Sequence, residues 1–373
     1  MKAWPFVGIA LMQTLLLLSQ SFINHTWIVF YGTAGLLAAP ALRIGCYFLT
    51  GSFVFAALLG FYVSNPLVRL IYRIAAVWLG FLNFFFFAAC LCRLSELALK
   101  VSGLALHPAN YRPALAESFY SLAIAASVYG LFNARWIRVR RVSVKLPNLP
   151  ECWRGRTALL ASDLHLGNIN VASFSRRIVR LAARLEPSIL FIPGDLFDGS
   201  KADADELIAP FKQLSLTFGT YFSAGNHDEF GSAAHYGPAL LRSGIHVLEN
   251  ERVVVDGLQI IGVPYGHSTA PIRLRTFLES LNLSQGKASI LLNHVPNRLA
   301  IAEQAGVSLQ LCGHTHGGQI FPFTWLTRRV FGKFTLGLQQ YGAMQVFTSS
   351  GAGTWGPPMR VGTNPEVVLL RFE

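Results

Sequence analysis

Charge is what this sequence has least of. Of 373 residues only 13% are Asp, Glu, Lys or Arg, about half the share of an ordinary soluble protein, while 52% are hydrophobic. The shortage lies at the front: residues 1–133 hold seven basic and two acidic side chains (Glu96 and Glu117), against 24 and 17 in the rest. Cysteine is also sparse. Three of the five (Cys46, Cys90, Cys92) sit in apolar runs, and no Cys-x-x-Cys pair occurs. A disulfide scaffold, a thiol redox motif and a zinc ribbon are thereby excluded. So much apolar residue excludes disorder, and no internal repeat is visible. What is left is an apolar front joined to an ordinary globular back.

A helix needs roughly 20 apolar residues to cross a bilayer core of about 30 Å. Four stretches qualify, at about 4–20, 45–64, 73–93 and 114–133, and a fifth at about 27–42 is apolar enough to insert. Polar breaks at Gln20–Ser21 and Asn24–His25 suggest where the first ends. A cleaved signal peptide is the rival reading of that first stretch. With four spans and the N-terminus inside, the inner flanks carry Lys2, Arg69, Arg73, Arg135, Arg138, Arg140, Arg141 and Lys145. The outer flanks carry Arg43, Arg93, Lys100 and Arg112. Eight bases against four place the back half in the cytoplasm; a fifth span would reverse it. The run Arg135–Lys145, five bases and no acid, suits anionic headgroups or simply anchors the topology. Arg93 and Glu96, three apart, are spaced to pair on one helix face. The expected division is a transmembrane helical domain over 1–134, a basic juxtamembrane linker over 135–154, and a catalytic-type domain over 155–373.

In that last part short apolar strands alternate with helical periodicity. Thr157–Ala161, Ile189–Ile192, Thr220–Ser223, Ser289–Leu292, Leu309–Leu311 and Gln345–Thr348 read as buried strands, and Ser173–Leu185, Ala204–Leu214, Ile272–Leu281 and Asn297–Gln304 as helices. The alternation predicts a layered domain with its loops gathered at the strand ends. Five of the ten histidines follow predicted strands: His165, His227, His294, His314 and His316. Each has polar company, in Asp163-Leu164-His165, Gly194-Asp195-Leu196-Phe197-Asp198, Gly225-Asn226-His227-Asp228, Asn293-His294 and Gly313-His314-Thr315-His316-Gly317-Gly318. In extended backbone, residues two apart face one side, so Asp163 with His165 and His314 with His316 would each form a two-toothed claw. A cysteine-free set of oxygen and nitrogen ligands suits Mn, Fe or Zn in a reactive rather than a structural site.

The ordered set Asp-x-His, Gly-Asp-x-x-Asp, Gly-Asn-His-Asp, His and Gly-His-x-His resembles the calcineurin-like metallophosphoesterases over roughly 155–373. Gly313–Gln319, Ser349–Gly353 and Pro365-Glu366 resemble the bacterial membrane-associated branch that includes UDP-2,3-diacylglucosamine pyrophosphatases and cell-wall-linked phosphoesterases. The resemblance implies a four-layer αββα sandwich, of α+β class, behind the transmembrane helices, with two divalent ions at the sheets' loop ends. It assigns Asp163, His165 and His316 to one ion, Asn226, His294 and His314 to the other, and Asp195 to both. His227 stands outside the ligand set and is assigned to protonating the leaving group or steadying the phosphoryl group. Asp228 beside it is placed to orient the His227 ring, with a loop cap as its alternative; Asp198 supports the Asp195 loop.

For substrate, no acid occurs between Glu303 and Glu366, while Arg328, Arg329, Lys333 and Arg360 do, interleaved with Phe321, Phe323, Trp325, Phe331 and Phe334. Such a lip suits a lipid headgroup at the bilayer surface; a hairpin packing its aromatics inward is the other reading. The expectation is a phosphodiesterase or pyrophosphatase of a bacterial inner (cytoplasmic) membrane, acting on a phospholipid or nucleotide-linked lipid, with no nucleic acid as partner. A phosphomonoesterase of soluble esters is the alternative.

Overall fold

The computed structural model describes residues 4–32, 39–103, 107–230, 233–283 and 286–373. They form two compact units, one of residues 1–132 with 356–359 and the other of 133–355 with 360–373.

The first unit holds four helices: α1 Trp4–Tyr31, α2 Pro40–Gly60, α3 Pro66–Val101 and α4 Arg112–Ala134. Each is long and apolar enough to cross a membrane. The polar break expected to end the first span does not end it, because the bundle takes up most of its polar groups. Gln20 Nε2 donates to Asn24 Oδ1 (2.8 Å), Thr50 Oγ1 to Gln20 Oε1 (3.0 Å) and Trp78 Nε1 to Thr50 Oγ1 (3.0 Å), tying α1, α2 and α3 together. Of the stretch considered for a fifth span, 27–31 are the last turns of α1, and 33–38 lie outside the described residues. Asn65 caps α3 by accepting from Val68 N (2.9 Å), and Pro66 opens it. Its 36 residues measure about 54 Å, so α3 outruns any bilayer core. Arg93 and Glu96 pair at 3.6 Å as their spacing suggests.

The second unit starts where a linker was expected. Arg138–Val144 is a strand, β1, pairing in parallel with β12 (Glu366–Phe372). This corrects the reading of 135–154 as linker: the basic residues drew attention to headgroups, but Val139, Val142 and Val144 pack into or against the cores of the sheet. The remaining elements are β2 Thr157–Leu160, α5 Ala172–Leu185, β3 Ile189–Pro193, α6 Ala204–Ile208, β4 Thr220–Ser223, α7 Asn226–Phe230, α8 Ala233–Arg242, β5 Ile245–Val247, β6 Glu251–Val255, β7 Leu258–Val263, α9 Tyr265–Ser268, α10 Pro271–Ser280, β8 Ser289–Asn293, α11 Leu299–Gln304, β9 Leu309–Cys312, α12 Phe323–Phe331, β10 Gly337–Tyr341 and β11 Met344–Thr348.

They build two six-stranded mixed sheets, ordered β1-β12-β2-β3-β4-β5 and β10-β11-β9-β8-β7-β6. The two-residue period of a strand sets the layers. Ala158, Leu160, Ile189, Phe191, Ile290, Leu292, Leu309 and Leu311 face one core between the sheets. Leu159, Leu190 and Ile192 face a second core with Ile178, Leu207 and Leu240 of α5, α6 and α8. Ile261, Leu291 and Cys312 face a third with Leu274, Leu278 and Ile301 of α10 and α11. The result is the αββα sandwich. Strands β2–β4 of one sheet and β7–β9 of the other run parallel within their sheets. Loops at their carboxyl ends therefore share one edge of the sandwich.

Candidate metal centre

All seven expected ligands come from that edge. Asp163 and His165 follow β2, Asp195 follows β3, Asn226 opens α7, His294 follows β8, and His314 and His316 follow β9. Three groups of side chains converge closely enough to hold an ion: Asp163, His165 and His316; His165, Asp195 and His227; and Asp195, His294 and His314. Their backbone is not extended as the sequence reading supposed. Asp163, His165, Asp195, His314 and His316 have φ of 53°, 46°, 50°, 67° and 49°, the left-handed region that non-glycine residues enter at a cost of about 1–3 kcal/mol each. The claws are thus built from strained turns held by their surroundings. Two glycines give room for this. A Cβ on Gly225 would land on the Asp195 carboxylate, and one on Gly313 would strike Ser162 and Asp163.

Asp195 sits between the two sides. Its Oδ2 is 3.1 Å from His294 Nε2 and 3.7 Å from His165 Nε2. On the His165 side, His165 Nε2 lies 3.0 Å from His316 Nε2, which is 3.5 Å from Asp163 Oδ1. On the other, His314 Nδ1 lies 3.0 Å from Asn226 Oδ1. Pro193 O accepts from His294 Nδ1 at 2.8 Å, which turns Nε2 inward. Two imidazole nitrogens, two carboxylates and an amide oxygen gathered this closely make a mixed nitrogen and oxygen donor set that fits a pair of divalent ions.

The electrostatics agree. Burial pushes Asp163 up to about 6. Burial works the same way on Asp195, but His294, with His165, outweighs it and holds that carboxylate well below its usual range. Burial opposes charge on His294 too, yet Asp195 and Asp163 outweigh it and raise the ring to about 10. His165 and His316 are driven well below 6.5 by burial, and His314 to about 4 by burial and the charge of His294, so these three rings are neutral.

His227 stands at the edge of the cluster, its ring centroid 4.8 Å from that of His165, and its backbone N–H bonds Asp195 Oδ1 at 2.9 Å. Asp228 does not orient that ring. Its buried carboxylate accepts from Phe197 N and Gly225 N, both at 2.8 Å, while His227 Nδ1 meets the carbonyl of Asp198 at 3.3 Å. The expected catalytic role for Asp228 gives way to its alternative, a cap that clamps the loops carrying Asp195 and Asn226: each carboxylate oxygen accepts a backbone amide, and the His227 ring nitrogen meets the Asp198 carbonyl instead. Asp198 accepts from Asn168 N and Ser200 N (both 2.8 Å) and shapes the adjoining loop.

Arg360, read from sequence as part of a basic lip, is fully buried. It donates to the carbonyls of His316 (2.9 Å), Ser350 (2.8 Å), Gly351 (3.2 Å) and Gly353 (2.6 Å) and to His316 Nδ1 (3.0 Å). Sequence offered no signal for this except its nearness to Ser349–Gly353. Also missed were the aromatic neighbours of the site other than Phe331, a member of the expected lip. Trp355 and Phe230, both exposed, lie 5.7 and 5.5 Å from the His227 ring, and Tyr265 and Phe331 each 6.2 Å from that of His314. Of the remaining lip residues, those from Phe323 to Phe331 form α12, with no buried residue, and Phe321, Phe323 and Trp325 are all more than half exposed. Phe334, beyond the helix, does pack against the third core, so a helix with one inward aromatic replaces the inward-packed hairpin.

The calcineurin-like phosphoesterase family matches residues 157–318, which include every ligand-type residue above but not Arg360. An uncharacterised metallophosphoesterase of Campylobacter jejuni is 30% identical over 246 residues, 63% of this chain and 63% of that protein. A transmembrane protein with metallophosphoesterase domain from Danio rerio is 29% identical over 364 residues, 90% of this chain and 82% of that one. An uncharacterised metallophosphoesterase of Aquifex aeolicus is 28% identical over 257 residues, 68% of this chain and 98% of that protein. The match thus spans less than two thirds of the Campylobacter relative and most of the other two.

Proposed function

We propose that this chain, whose residues 157–318 match the calcineurin-like phosphoesterase family and gather a candidate dimetal site, is a membrane-anchored phosphohydrolase that cleaves a phosphodiester or pyrophosphate borne by a lipid. The observation that carries the catalytic part is the position of Asp195, within reach of both ligand groups. Asp163, His165 and His316 would hold one ion and Asn226, His294 and His314 the other, with Asp195 shared. Two bound divalent ions would supply a nucleophile at neutral pH and a clamp on the phosphoryl oxygens. The chain's own residues do the rest. Asp228 fixes the loops on which Asp195 and Asn226 ride, Arg360 fixes His316, and His227 is placed to give a proton to the departing oxygen.

A lipid substrate is supported by four helices able to span a membrane and by α12, whose exposed aromatics lie beside Arg328, Arg329 and Lys333. The flanking charges support placing the domain on the cytoplasmic side of that membrane, which we take to be a bacterial inner membrane on the motif resemblance alone. The test uses the full chain in anionic liposomes, with a lipid phosphodiester or pyrophosphate and a soluble chromogenic ester as parallel substrates. Chelator should stop both reactions and Mn should restore them. Trp325→Ala with Arg328→Ala should slow the lipid reaction alone. Full activity without metal would overturn the catalytic reading. Equal slowing of both substrates, or none, would overturn the lipid reading and leave soluble esters in its place.

A further inference from the structure

The helical unit holds a polar feature that phosphoester hydrolysis does not use. A cavity of about 510 Å³ opens between α1 and α2, lined by Ser21, Asn24, His25, Arg43 and Tyr47 with Ile28, Val29, Pro40 and Ile44. That is the size of a small-molecule site. Asn24 is 4% exposed, and its Nδ2 has no hydrogen-bond partner among the described residues. It ends the chain of bonds from Trp78 through Thr50 and Gln20, in which every other link is made. A buried amide left open in a membrane helix is expensive unless something fills it.

The charge around it has one sign. Arg43 has no carboxylate partner among the described residues. His25 Nδ1 lies 3.3 Å from Arg93 Nη2, and Arg93, Lys100 and Arg112 share the single buried carboxylate of Glu96. Arg43 is thus the one formally charged side chain among those lining a cavity that also holds an unused N–H donor. From its mouth, Ile44, Phe48 and Phe55 run down one side of α2, 68%, 76% and 64% exposed, at the spacing of a helix face.

We propose that this cavity binds the phosphate headgroup of an anionic membrane lipid, with Arg43 and Asn24 as donors and the acyl chains along the Ile44–Phe55 face. Exposed apolar residues on a spanning helix favour lipid over free phosphate as the source. The inference goes beyond the proposed hydrolysis, and its readout is binding, so failure of the catalytic reading would leave it standing.

Delipidated full-length protein in a nonionic detergent, free of added metal, is titrated with phosphatidylglycerol and with diacylglycerol of the same chains, bound lipid being counted by native mass spectrometry. Phosphatidylglycerol should bind at least ten-fold more tightly than diacylglycerol. Arg43→Gln should weaken it about ten-fold, the scale of one hydrogen bond to a charged group, and Arg43→Lys should recover part of that loss. Asn24→Ala tests the second donor by itself, and unchanged metal-dependent hydrolysis of a soluble ester by these variants shows that they fold. Equal affinity for the two lipids, or wild-type affinity in both Arg43→Gln and Asn24→Ala, would overturn the proposal. Displacement of the lipid by millimolar inorganic phosphate would overturn the lipid source.

Discussion

Arg360 has a larger part than any other side chain outside the ligand set, and replacing it separates two effects. In Arg360→Met the side-chain volume is roughly kept, while the carbonyls of His316, Ser350, Gly351 and Gly353 lose their donor in a region closed to water. Each orphaned buried acceptor costs about 1–3 kcal/mol. Against this, the guanidinium no longer has to be desolvated, and that relief is real: burial draws its pKa down to about 10. Removing one side of a buried charged arrangement nets about 3–5 kcal/mol, a third or more of the stability of an ordinary domain. The second effect is on His316, which loses its grip at both Nδ1 and its own carbonyl. Residues that orient a ligand are worth about 10–100-fold in metal affinity. Arg360→Lys keeps the charge but not the planar fork, so it should recover stability more than metal affinity. Urea unfolding of the metal-free protein followed by tryptophan fluorescence reads the first effect, and competition with a chromogenic chelator the second. A Met variant with the wild-type unfolding midpoint and metal affinity within two-fold of wild type would refute the reasoning.

Three further outcomes are expected. His227→Ala should lower kcat on a soluble ester by about 10²–10⁴-fold with metal content unchanged; loss of one ion per chain, measured by elemental analysis, would make His227 a ligand instead. In metal-free protein the stabilisation from His294 is complete below 6.5, its unfolded value, and is lost as pH rises through about 10, because only the folded state keeps the proton there. Stability against urea should therefore fall by roughly 5 kcal/mol at most between those limits, and His294→Gln or bound metal should flatten the slope. Gly225→Ala puts a methyl group onto the Asp195 carboxylate and should lower activity at least about 100-fold. Its circular dichroism should stay native, and a Gly225→Ala enzyme as active as wild type would contradict the packing described.

What could be read in the sequence and what could not divide along a physical line. Buried strands such as Ile189–Ile192 and the ligands just after them are legible, because a short apolar run closed by Asp or His marks both a strand and its functional end. Side-chain aim is not legible. Asp228 adjoins His227 in sequence, but its carboxylate turns to two amides, a choice made by tertiary structure. Charge misled twice for one reason: Arg138–Arg141 and Arg360 look solvated, yet the first lie in a strand whose valines are packed and the second finds four carbonyls. Gln20 and Asn24 looked like a helix end because the tie that holds Gln20, through Thr50 and then Trp78, comes from other helices.

The parallel ladder between β1 and β12 bears on how the protein is made. Residues 138–144 leave the ribosome more than two hundred residues ahead of residues 366–372, the strand that joins them to the rest of their sheet. At about 5–20 residues per second, the nascent chain carries β1 without its partner for roughly 10–45 s. Through that interval a basic strand is an asset: Arg138, Arg140 and Arg141 keep its open edges from pairing with a neighbouring chain. The sheet cannot close while translation is still short of residue 372, so a premature stop there releases β1 as well as removing β12. Ribosome-bound chains arrested a few residues before 366 should expose β1 to protease even though the ligand-bearing loops have long been synthesised.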